Sequence, residues 1–357
     1  MRLSVASSLS WAAAALVAAS PLASPESLVT RQDASTLTKE IYDNMQYYAE
    51  YSASTYCNSD NAAGSLVVCE DGCPQVMANG ATVVGSLPNT TVFEMDGYVA
   101  LDNVRKEIVV AFRGSSGLRN WIADLTFLLV PCDYTTGCAV HTGFKIAWES
   151  IREYTLGFVK SALAEYPDYT LVVTGHSLGA AVGTLAVIEL RDMGYACDLY
   201  TYGSPRVGNL ALVKYVTDQV GAEYRATHFE DPVPRLPPIL FGYFHTSPEY
   251  WLAAGPATNV DYTIDEIETC LGYANISCNA GTFGLNGDAH THYFQYLGCD
   301  SGSKSTDMAL TTRDDIATNP LWTRDEVSDE DLEKRLNNYT LQDIEYSKEL
   351  AASGLAL

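Results

Sequence analysis

Two kinds of apolar spacing recur along this chain and predict its secondary structure. Continuous apolar runs over residues 107–112 and 171–174 indicate strands that are buried on both faces. Apolar residues at helical spacing over residues 37–56, 144–166 and 178–193 indicate amphipathic helices. The remaining predicted elements are strands over residues 91–101, 197–203 and 224–229 and a helix over residues 210–220. This alternation predicts an α/β fold with a mostly parallel sheet and helices on both faces.

The segment Gly175-His176-Ser177-Leu178-Gly179 lies between a predicted strand and a predicted helix. A G-x-S-x-G turn in this position is a nucleophile elbow, which lifts a serine hydroxyl above the sheet edge. The N–H of Leu178 would then face an oxyanion formed on a substrate. The alternative is an incidental serine in a glycine-rich turn. The strand–turn–helix context favours Ser177 as a nucleophile.

A carboxylate suited to orient a catalytic base follows the predicted strand 224–229. Asp231 comes just after that strand, and Pro232 keeps it out of a helix. Hydrolase triads of this type run in the order Ser, Asp or Glu, then His, so an acid is expected here. Glu230 is the competing carboxylate, and an aspartate that only forms a turn is the alternative without chemistry. Asp231 fits the pattern best.

Three histidines follow Asp231 and are candidates for the general base. His245 lies in an aromatic stretch, which favours a packed role for its ring. His290 and His292 form an H-x-H pair shortly before Cys299, and one of the two is the expected base. Such a pair could also bind a metal, but the sequence offers no third ligand. The residues alone do not choose between His290 and His292.

Polar and apolar residues that could shape the site follow the predicted strand 107–112. Ser115 comes at the end of that strand, where its backbone N–H could be a second oxyanion donor; a plain turn is the alternative. Residues 117–125 then form a short amphipathic segment. Its apolar residues at helical spacing are Leu118, Trp121, Ile122 and Leu125. The segment is either a buried core helix or a lid that turns its apolar face to a lipid surface.

The N-terminal residues predict secretion. A short apolar stretch over residues 9–19 follows Arg2 and ends in small residues, which indicates a signal peptide over residues 1–19. A transmembrane helix is the alternative, but the stretch is short and lacks a stop-transfer flank. Residues 20–31 are rich in Pro and Ser and predict a pro-segment.

Nine cysteines in a secreted chain predict disulfides with one thiol left over. Three pairs are close enough in sequence to close local loops, a fourth pair brackets the domain, and Cys197 is expected to be a buried free thiol. The pairs are Cys69 with Cys73, Cys132 with Cys138, Cys270 with Cys278, and Cys57 with Cys299. Predicted N-glycosylation sites are Asn89, Asn275 and Asn338.

The 357-residue chain has a formal net charge of -23. This charge argues against a nucleic-acid partner and against electrostatic docking on an anionic membrane. No stable protein partner is implied by any feature of the sequence.

Four motifs together give the chain a family resemblance. They are GHSLG, AFRGSSGLRNWIADLTF, TYGSPRVGN and DPVPRLPP. With them, the chain resembles the secreted fungal class 3 lipases, a family of α/β-hydrolases. The resemblance implies a single domain over residues 32–299, with Ser177 as nucleophile, Asp231 as acid and Ser115 and Leu178 as oxyanion donors. It selects His290 as the base, because Tyr293-Phe294 follow it in the family's pattern.

The resemblance also implies a lid over residues 116–124, here called the lid segment, with Trp121 exposed on opening. It matches Cys57–Cys299, Cys69–Cys73 and Cys132–Cys138 to family disulfides. The chain departs from the family at Ala180, where many members have glycine, and in residues 300–357, which extend past the usual end. That extension is acidic with few large apolar residues, and we expect it to be disordered or removable, with at most a solvated helix over residues 328–336.

The resemblance predicts a secreted lipase that hydrolyses acylglycerols at a lipid–water interface without a metal or organic cofactor. The apolar residues of the lid segment favour triacylglycerols. A mono- and diacylglycerol lipase is the alternative, and a feruloyl-type esterase would carry a more polar lid. A binding protein on an inactive hydrolase scaffold is the alternative from another class, and it is disfavoured because every catalytic position is occupied.

Overall fold

A computed structural model describes residues 36–69, 71–88, 95–115, 117, 119, 122–123, 127–298 and 327–353. The predicted signal peptide and pro-segment, together with Asn89, Leu118, Trp121 and Cys299, lie outside the described residues. Within these ranges, no helix is long and apolar enough to cross a membrane.

In the described part of the chain, the architecture is a central sheet of eight strands with a separate two-stranded ribbon. The strands are β1 (Thr82–Ser86), β2 (Gly97–Asp102), β3 (Glu107–Phe112), β4 (Leu129–Pro131), β5 (Ala139–His141), β6 (Thr170–His176), β7 (Cys197–Tyr202), β8 (Glu223–His228), β9 (Glu249–Leu252) and β10 (Ile267–Cys270). The sheet order is β1-β2-β3-β6-β7-β8-β9-β10, and β4 pairs with β5. Strands β3, β6, β7, β8 and β9 are parallel, and the outer strands are antiparallel to their neighbours.

Helices cover both faces of this sheet. They are α1 (Lys39–Asn58), α2 (Pro74–Asn79), α3 (Thr142–Glu165), α4 (Leu178–Asp192), α5 (Leu210–Asp218), α6 (Gly287–Thr291) and α7 (Asp329–Ala352). Alternate residues of β3 enter different cores: Val109 packs in the cluster that contains α1, and Val110 in the cluster that contains α3, α4 and α5. Burial of both faces explains the continuous apolar run in the sequence of β3. The predicted α/β-hydrolase fold is confirmed.

Small residues let α4 approach the sheet. A Cβ atom on Gly179 would lie 2.3 Å from the backbone oxygen of Phe112 in β3, so no larger residue fits there. Helix α4 therefore approaches β3 closely just after Ser177.

Three of the predicted disulfides are formed: Cys69–Cys73, Cys132–Cys138 and Cys270–Cys278. Cys57 is also disulfide-bonded, but its predicted partner Cys299 is outside the described residues. Cys197 is a buried free thiol, as predicted.

The C-terminal extension corrects a prediction. The extension was expected to be disordered, with at most a solvated helix over residues 328–336. Residues 329–352 instead form α7, which packs on the domain through Leu332 and Leu336. Acidic residues dominate the composition of this segment, yet its few apolar residues recur at helical spacing and find apolar partners on the domain. Asn338 is an exposed residue of α7, and Asn275 is partly exposed; glycosylation of both stays a prediction.

Candidate active site

Ser177 occupies the turn between β6 and α4. Its φ of 55° and ψ of -125° are unusual for a residue other than glycine. The backbone N–H of Ser177 donates to the carbonyl of Tyr202 at the end of β7, at 2.9 Å, and this bond holds the turn at the sheet edge. Backbone strain of this kind is found at functional sites, where surrounding contacts compensate for it.

The neighbouring His176 connects the serine turn to the loop that carries His290. Its Nε2 donates to the carbonyl oxygen of His290 at 2.8 Å, so Nδ1 is the acceptor for the Tyr56 hydroxyl at 2.7 Å. Burial, with the neighbouring His290, lowers the pKa of His176 to about 3. A neutral His176 therefore fixes the position of His290 relative to Ser177.

His290 and Asp231 form a buried pair. The Nδ1 atom of His290 lies 2.9 Å from Oδ2 and 3.0 Å from Oδ1 of Asp231, and the two residues are 1% and 0% exposed. A carboxylate only accepts, so Nδ1 carries the proton and Nε2 holds a lone pair. Among the described residues, Nε2 has no hydrogen-bond partner. The imidazole is therefore oriented by its acid and has a nitrogen available to accept a proton.

Asp231 is held by two further donors. Its Oδ2 accepts from the Tyr293 hydroxyl at 2.5 Å, and its Oδ1 accepts from the Val233 N–H at 2.9 Å. Burial raises the pKa of Asp231, but His290 and these hydrogen bonds outweigh it and hold the pKa below its ordinary value. Asp231 is therefore ionised at neutral pH.

The other candidates make different contacts. His292 has its Nδ1 2.9 Å from the carbonyl of Asp288, and His245 has its Nε2 2.7 Å from the carbonyl of Pro234. Asp231, and not Glu230, contacts His290. Within the described ranges, no group of three or more His, Cys, Asp or Glu residues is arranged to hold a metal. The structure thus separates His290 from His292, which the residues alone did not.

The two expected oxyanion donors, Ser115 and Leu178, belong to segments that adjoin Ser177. Leu178 is the first residue of α4, where backbone N–H groups have no acceptor within the helix. Ser115 follows Gly114, on which a Cβ atom would lie 3.1 Å from the Cβ of Ser177. The β3 end therefore passes close to the serine turn, as a second donor at Ser115 requires.

Gly203 is a residue of the site that the sequence did not identify. It follows β7 with a φ of 60°, and a Cβ atom there would lie 2.8 Å from the Tyr293 hydroxyl, 2.9 Å from Asp231 Oδ2 and 2.9 Å from His290 Cε1. The TYGSPRVGN motif contains this glycine, but only the fold shows that it faces the acid and the base. Asn279 was also missed: its Nδ2 donates to the backbone oxygens of Phe229 and Asp231, both at 3.1 Å. These bonds hold the loop of residues 229–238, here called the acid loop.

We expect Gly203→Ala to lower kcat by about 10- to 100-fold, because a methyl group there must displace Asp231 or His290 from its position. Gly80→Ala is the matched control: Gly80 has a φ of 65°, and a Cβ atom added there would have no neighbour within 4 Å, so it carries the same backbone strain away from the site. Steady-state ester hydrolysis would be compared for the two variants. Equal kcat values would show that the absence of a side chain at Gly203 is not needed to position Asp231 and His290.

A second buried histidine supports the loop of His290. His228, the last residue of β8, has its Nδ1 2.8 Å from the carbonyl of Ala289. Burial lowers the pKa of His228 to about 4. Because the unfolded chain protonates this residue near pH 6.5, its contribution to stability is complete above pH 6.5 and is lost as pH falls toward about 4.

We expect His228→Asn to flatten the pH dependence of folding. At pH 4.5, protonation of His228 in the unfolded chain should cost the wild type about 2 kcal/mol relative to pH 7. Urea unfolding of both proteins from pH 7 to pH 4.5 measures this difference. Parallel curves for wild type and variant would mean that His228 does not contribute to the acid sensitivity.

Part of the lid segment is described. Residues 119, 122 and 123 are helical, and Ile122 is 4% exposed. Ile122 packs with Val233 and Leu236 of the acid loop and with Leu332 and Leu336 of α7. Ile122 thus packs against both the acid loop and the C-terminal helix.

Several known proteins are similar to this chain in sequence. The model of the family described as Lipase (class 3) matches residues 109–241, which include Ser115, Ser177 and Asp231. The chain is 47% identical over 339 residues to the secreted mono- and diacylglycerol lipase 1 of Fusarium solani, with 94% of this chain and 96% of that protein covered. It is 40% identical over 270 residues to the secreted mono- and diacylglycerol lipase A of Penicillium cyclopium, with 74% of this chain and 87% of that protein covered.

Solved structures give the same result. The crystal structure of a mono- and diacylglycerol lipase from Aspergillus oryzae superposes with a TM-score of 0.69 at 38% identity, over 74% of this chain and 100% of that one. About a quarter of this chain therefore has no counterpart in that structure. The chain belongs to the class 3 lipase family and is a secreted carboxylic ester hydrolase with an α/β-hydrolase fold.

Proposed function

We propose that this protein hydrolyses acylglycerol esters by acyl transfer through Ser177, His290 and Asp231. The observation that carries the proposal is the state of His290. Its Nδ1 is bound to the Asp231 carboxylate, its Nε2 makes no hydrogen bond within the described ranges, and its carbonyl is tied to the residue before Ser177. An imidazole in this state can take the proton of a serine hydroxyl.

In the first half of the reaction, His290 Nε2 accepts the Ser177 proton as Ser177 Oγ attacks the acyl carbonyl carbon. Asp231 stabilises the imidazolium that forms, and the backbone N–H groups of Ser115 and Leu178 donate to the oxyanion. The imidazolium then protonates the leaving glycerol oxygen, and an acyl-serine remains.

In the second half, His290 removes a proton from water, which attacks the acyl-serine carbonyl. Collapse of the second oxyanion releases the fatty acid and returns the proton to Ser177 Oγ. The chain supplies every group that these steps need, so no metal or organic cofactor is required.

For the substrate, we favour mono- and diacylglycerols. The support is the name of three relatives, from Fusarium solani, Penicillium cyclopium and Aspergillus oryzae, each of which is described as a mono- and diacylglycerol lipase. The apolar residues of the lid segment instead favour triacylglycerols at an interface. Triacylglycerols are therefore the second candidate.

Initial rates on monobutyrin, dibutyrin, tributyrin and methyl ferulate separate these candidates. The three glycerides all carry butyryl groups, so chain length stays constant while the number of acyl groups changes. Each glyceride would be assayed below and above its solubility limit. Rates on dibutyrin and monobutyrin well above the rate on tributyrin would support the proposal. A higher rate on emulsified tributyrin would assign the triacylglycerol class, and a preference for methyl ferulate would exclude both.

A further inference from the structure

One buried guanidinium holds the C-terminal end of the acid loop. Arg206 lies between β7 and α5 and is 1% exposed. Its backbone N–H donates to the carbonyl oxygen of Leu236 at 2.7 Å. Its Nη1 atom lies 2.7 Å from the carbonyl oxygen of Arg235 and 2.8 Å from that of Pro237. Three consecutive residues of the acid loop are therefore bonded to one residue outside it.

Asp343 of α7 supplies the negative charge that this guanidinium requires. The Asp343 side chain is 2% exposed, and its Oδ2 lies 3.0 Å from Arg206 Nη1. Among the described residues, no other acidic side chain forms an ion pair with Arg206. Burial lowers the pKa of the Arg206 guanidinium, and the Asp343 carboxylate opposes that shift. Without the carboxylate, a buried positive charge would have no partner, which is costly.

The same carboxylate also holds the backbone just after the acid loop. Its Oδ2 accepts from the Ile239 N–H at 2.9 Å, and its Oδ1 accepts from the Leu240 N–H at 3.0 Å. Both residues belong to the short 3-10 turn Ile239–Phe241, whose first N–H groups have no acceptor within the turn. Asp343 therefore fixes this stretch of backbone twice, directly at the turn and through Arg206 at the acid loop.

The acid loop transmits these contacts to the catalytic acid over a few residues. The Leu236 N–H donates to the carbonyl oxygen of Val233 at 3.0 Å, and the Val233 N–H donates to Asp231 Oδ1 at 2.9 Å. A shift of residues 235–237 therefore moves Val233 and the carboxylate that it holds. In the described part of the chain, the hydrogen bonds of Asp343 go only to Arg206 and the two turn N–H groups. Any effect of Asp343 on catalysis must then pass through the acid loop.

We propose that Asp343 is a positioning residue for the catalytic acid: together with Arg206, it holds the acid loop so that Asp231 keeps its two contacts with His290 Nδ1. The inference rests on the proposed function, because it assigns a task to the acid of that site. Asp343 lies outside residues 109–241, which the class 3 lipase model matches. The C-terminal extension of this chain thus contributes to the geometry of the triad.

The test uses Asp343→Asn in the full chain, because asparagine keeps the shape of the side chain and removes its charge. Glu223→Gln is the matched control. Glu223 Oε1 lies 2.6 Å from Arg191 Nη1, the two side chains are 3% and 2% exposed, and Arg191 also donates to backbone carbonyls. Glu223 begins β8, at the opposite end of that strand from His228. Both substitutions therefore remove the charge beside a buried guanidinium, but only one of these guanidiniums is bonded to the acid loop.

We expect both variants to unfold at lower urea concentration than wild type, whereas only Asp343→Asn should lower kcat on 4-nitrophenyl butyrate. The loss should be about 10-fold in kcat with KM within about twofold, since a small displacement of Asp231 disturbs His290 and does not touch the substrate. In an Asp231→Asn background, Asp343→Asn should lower kcat by less than about twofold, because the acid that it positions is already lost.

A wild-type kcat in Asp343→Asn would overturn the positioning role, as would the same loss in both backgrounds or an equal loss in Glu223→Gln. If Asp343→Asn does not fold, Arg206→Lys replaces it. Lysine keeps the charge beside Asp343 but lacks the planar fork of arginine, so the bonds to the acid loop are weakened. The same two backgrounds then decide: a loss of kcat confined to the one with Asp231 supports the role, and any other result overturns it.

The proposed function fails in a different way. Wild-type protein that hydrolyses no ester would overturn the proposed function itself. An active wild type whose kcat is insensitive to Asp343 would overturn only the positioning role.

Discussion

Replacing Ser177 with alanine is expected to lower kcat for ester hydrolysis by about 10⁵-fold or more, because no other group can form the acyl-enzyme. The fold should tolerate the change. Ser177 has a positive φ of 55° that alanine and serine adopt at similar cost, and the bond that holds the turn is made by the backbone N–H. We therefore expect the free energy of unfolding to change by less than about 1 kcal/mol.

Single-turnover and steady-state assays on dibutyrin, together with urea unfolding, measure both parts of this prediction. Ser52→Ala is the control, since its buried hydroxyl lies 2.9 Å from Thr174 Oγ1 on the far side of the sheet from α4. That variant should lose stability and keep kcat. If Ser177→Ala retained more than about one-thousandth of the wild-type rate, Ser177 would not be the nucleophile.

The second large effect is expected for Asp231→Asn, which should lower kcat by about 10⁴-fold. An asparagine that turns its NH₂ group toward His290 Nδ1 favours the tautomer with the proton on Nε2, which cannot accept a proton from Ser177. Two hydrogen bonds to the side chain of residue 231 increase the expected loss of kcat. Tyr293 donates to one carboxylate oxygen and Val233 to the other, so either orientation of the amide opposes its NH₂ group to a donor.

Glu230→Gln is the matched control for this variant, because it neutralises the adjacent carboxylate, which does not contact His290. The loss should appear in kcat far more than in KM, since Asp231 acts through His290 and does not touch the substrate. A comparable loss in Glu230→Gln would mean that negative charge in the loop, and not the orientation of His290, explains the effect.

The lowered pKa of Asp231 also gives this variant a signature in stability. The ionised carboxylate stabilises the folded state at pH values above about 3.9, and that contribution is lost as pH falls through the lowered pKa of the folded protein. Asp231→Asn should therefore be less stable than wild type at pH 7, with a smaller difference near pH 3. A difference that stayed constant over this range would mean that the charge of Asp231 does not stabilise the fold.

The acid loop is held by polar and apolar contacts from different segments. Asn279 donates to the backbone oxygen of Asp231, and the Tyr293 hydroxyl donates to its carboxylate. Leu336 of α7 packs in the same apolar cluster as Val233 and Leu236. The α7 helix therefore contributes to the packing around the catalytic acid.

Local patterns in the sequence were sufficient for the inner strands of the sheet with their main helices and for two of the candidate site residues. The run 107–112 and the helical spacing after Ser177 appear in the fold as β3 and α4, because burial on both faces and packing of a small-residue helix impose these patterns on neighbouring residues. The order of Ser177 and Asp231 along the chain follows from the parallel strands that precede each of them.

The sequence by itself thus determined the α/β class, the serine turn and the approximate place of the acid, since each depends on residues within a few positions of one another. Local residue patterns left His290 and His292 open, and only the family resemblance favoured His290. The tertiary structure supplies the physical reason, because the contact of His290 with Asp231 joins residues 59 positions apart. It alone identified the space at Gly203 and the docking of α7. Acidic composition suggested a disordered extension, but Leu332, Leu336 and Asp343 fold onto partners more than 90 positions away, and no local pattern contains that information.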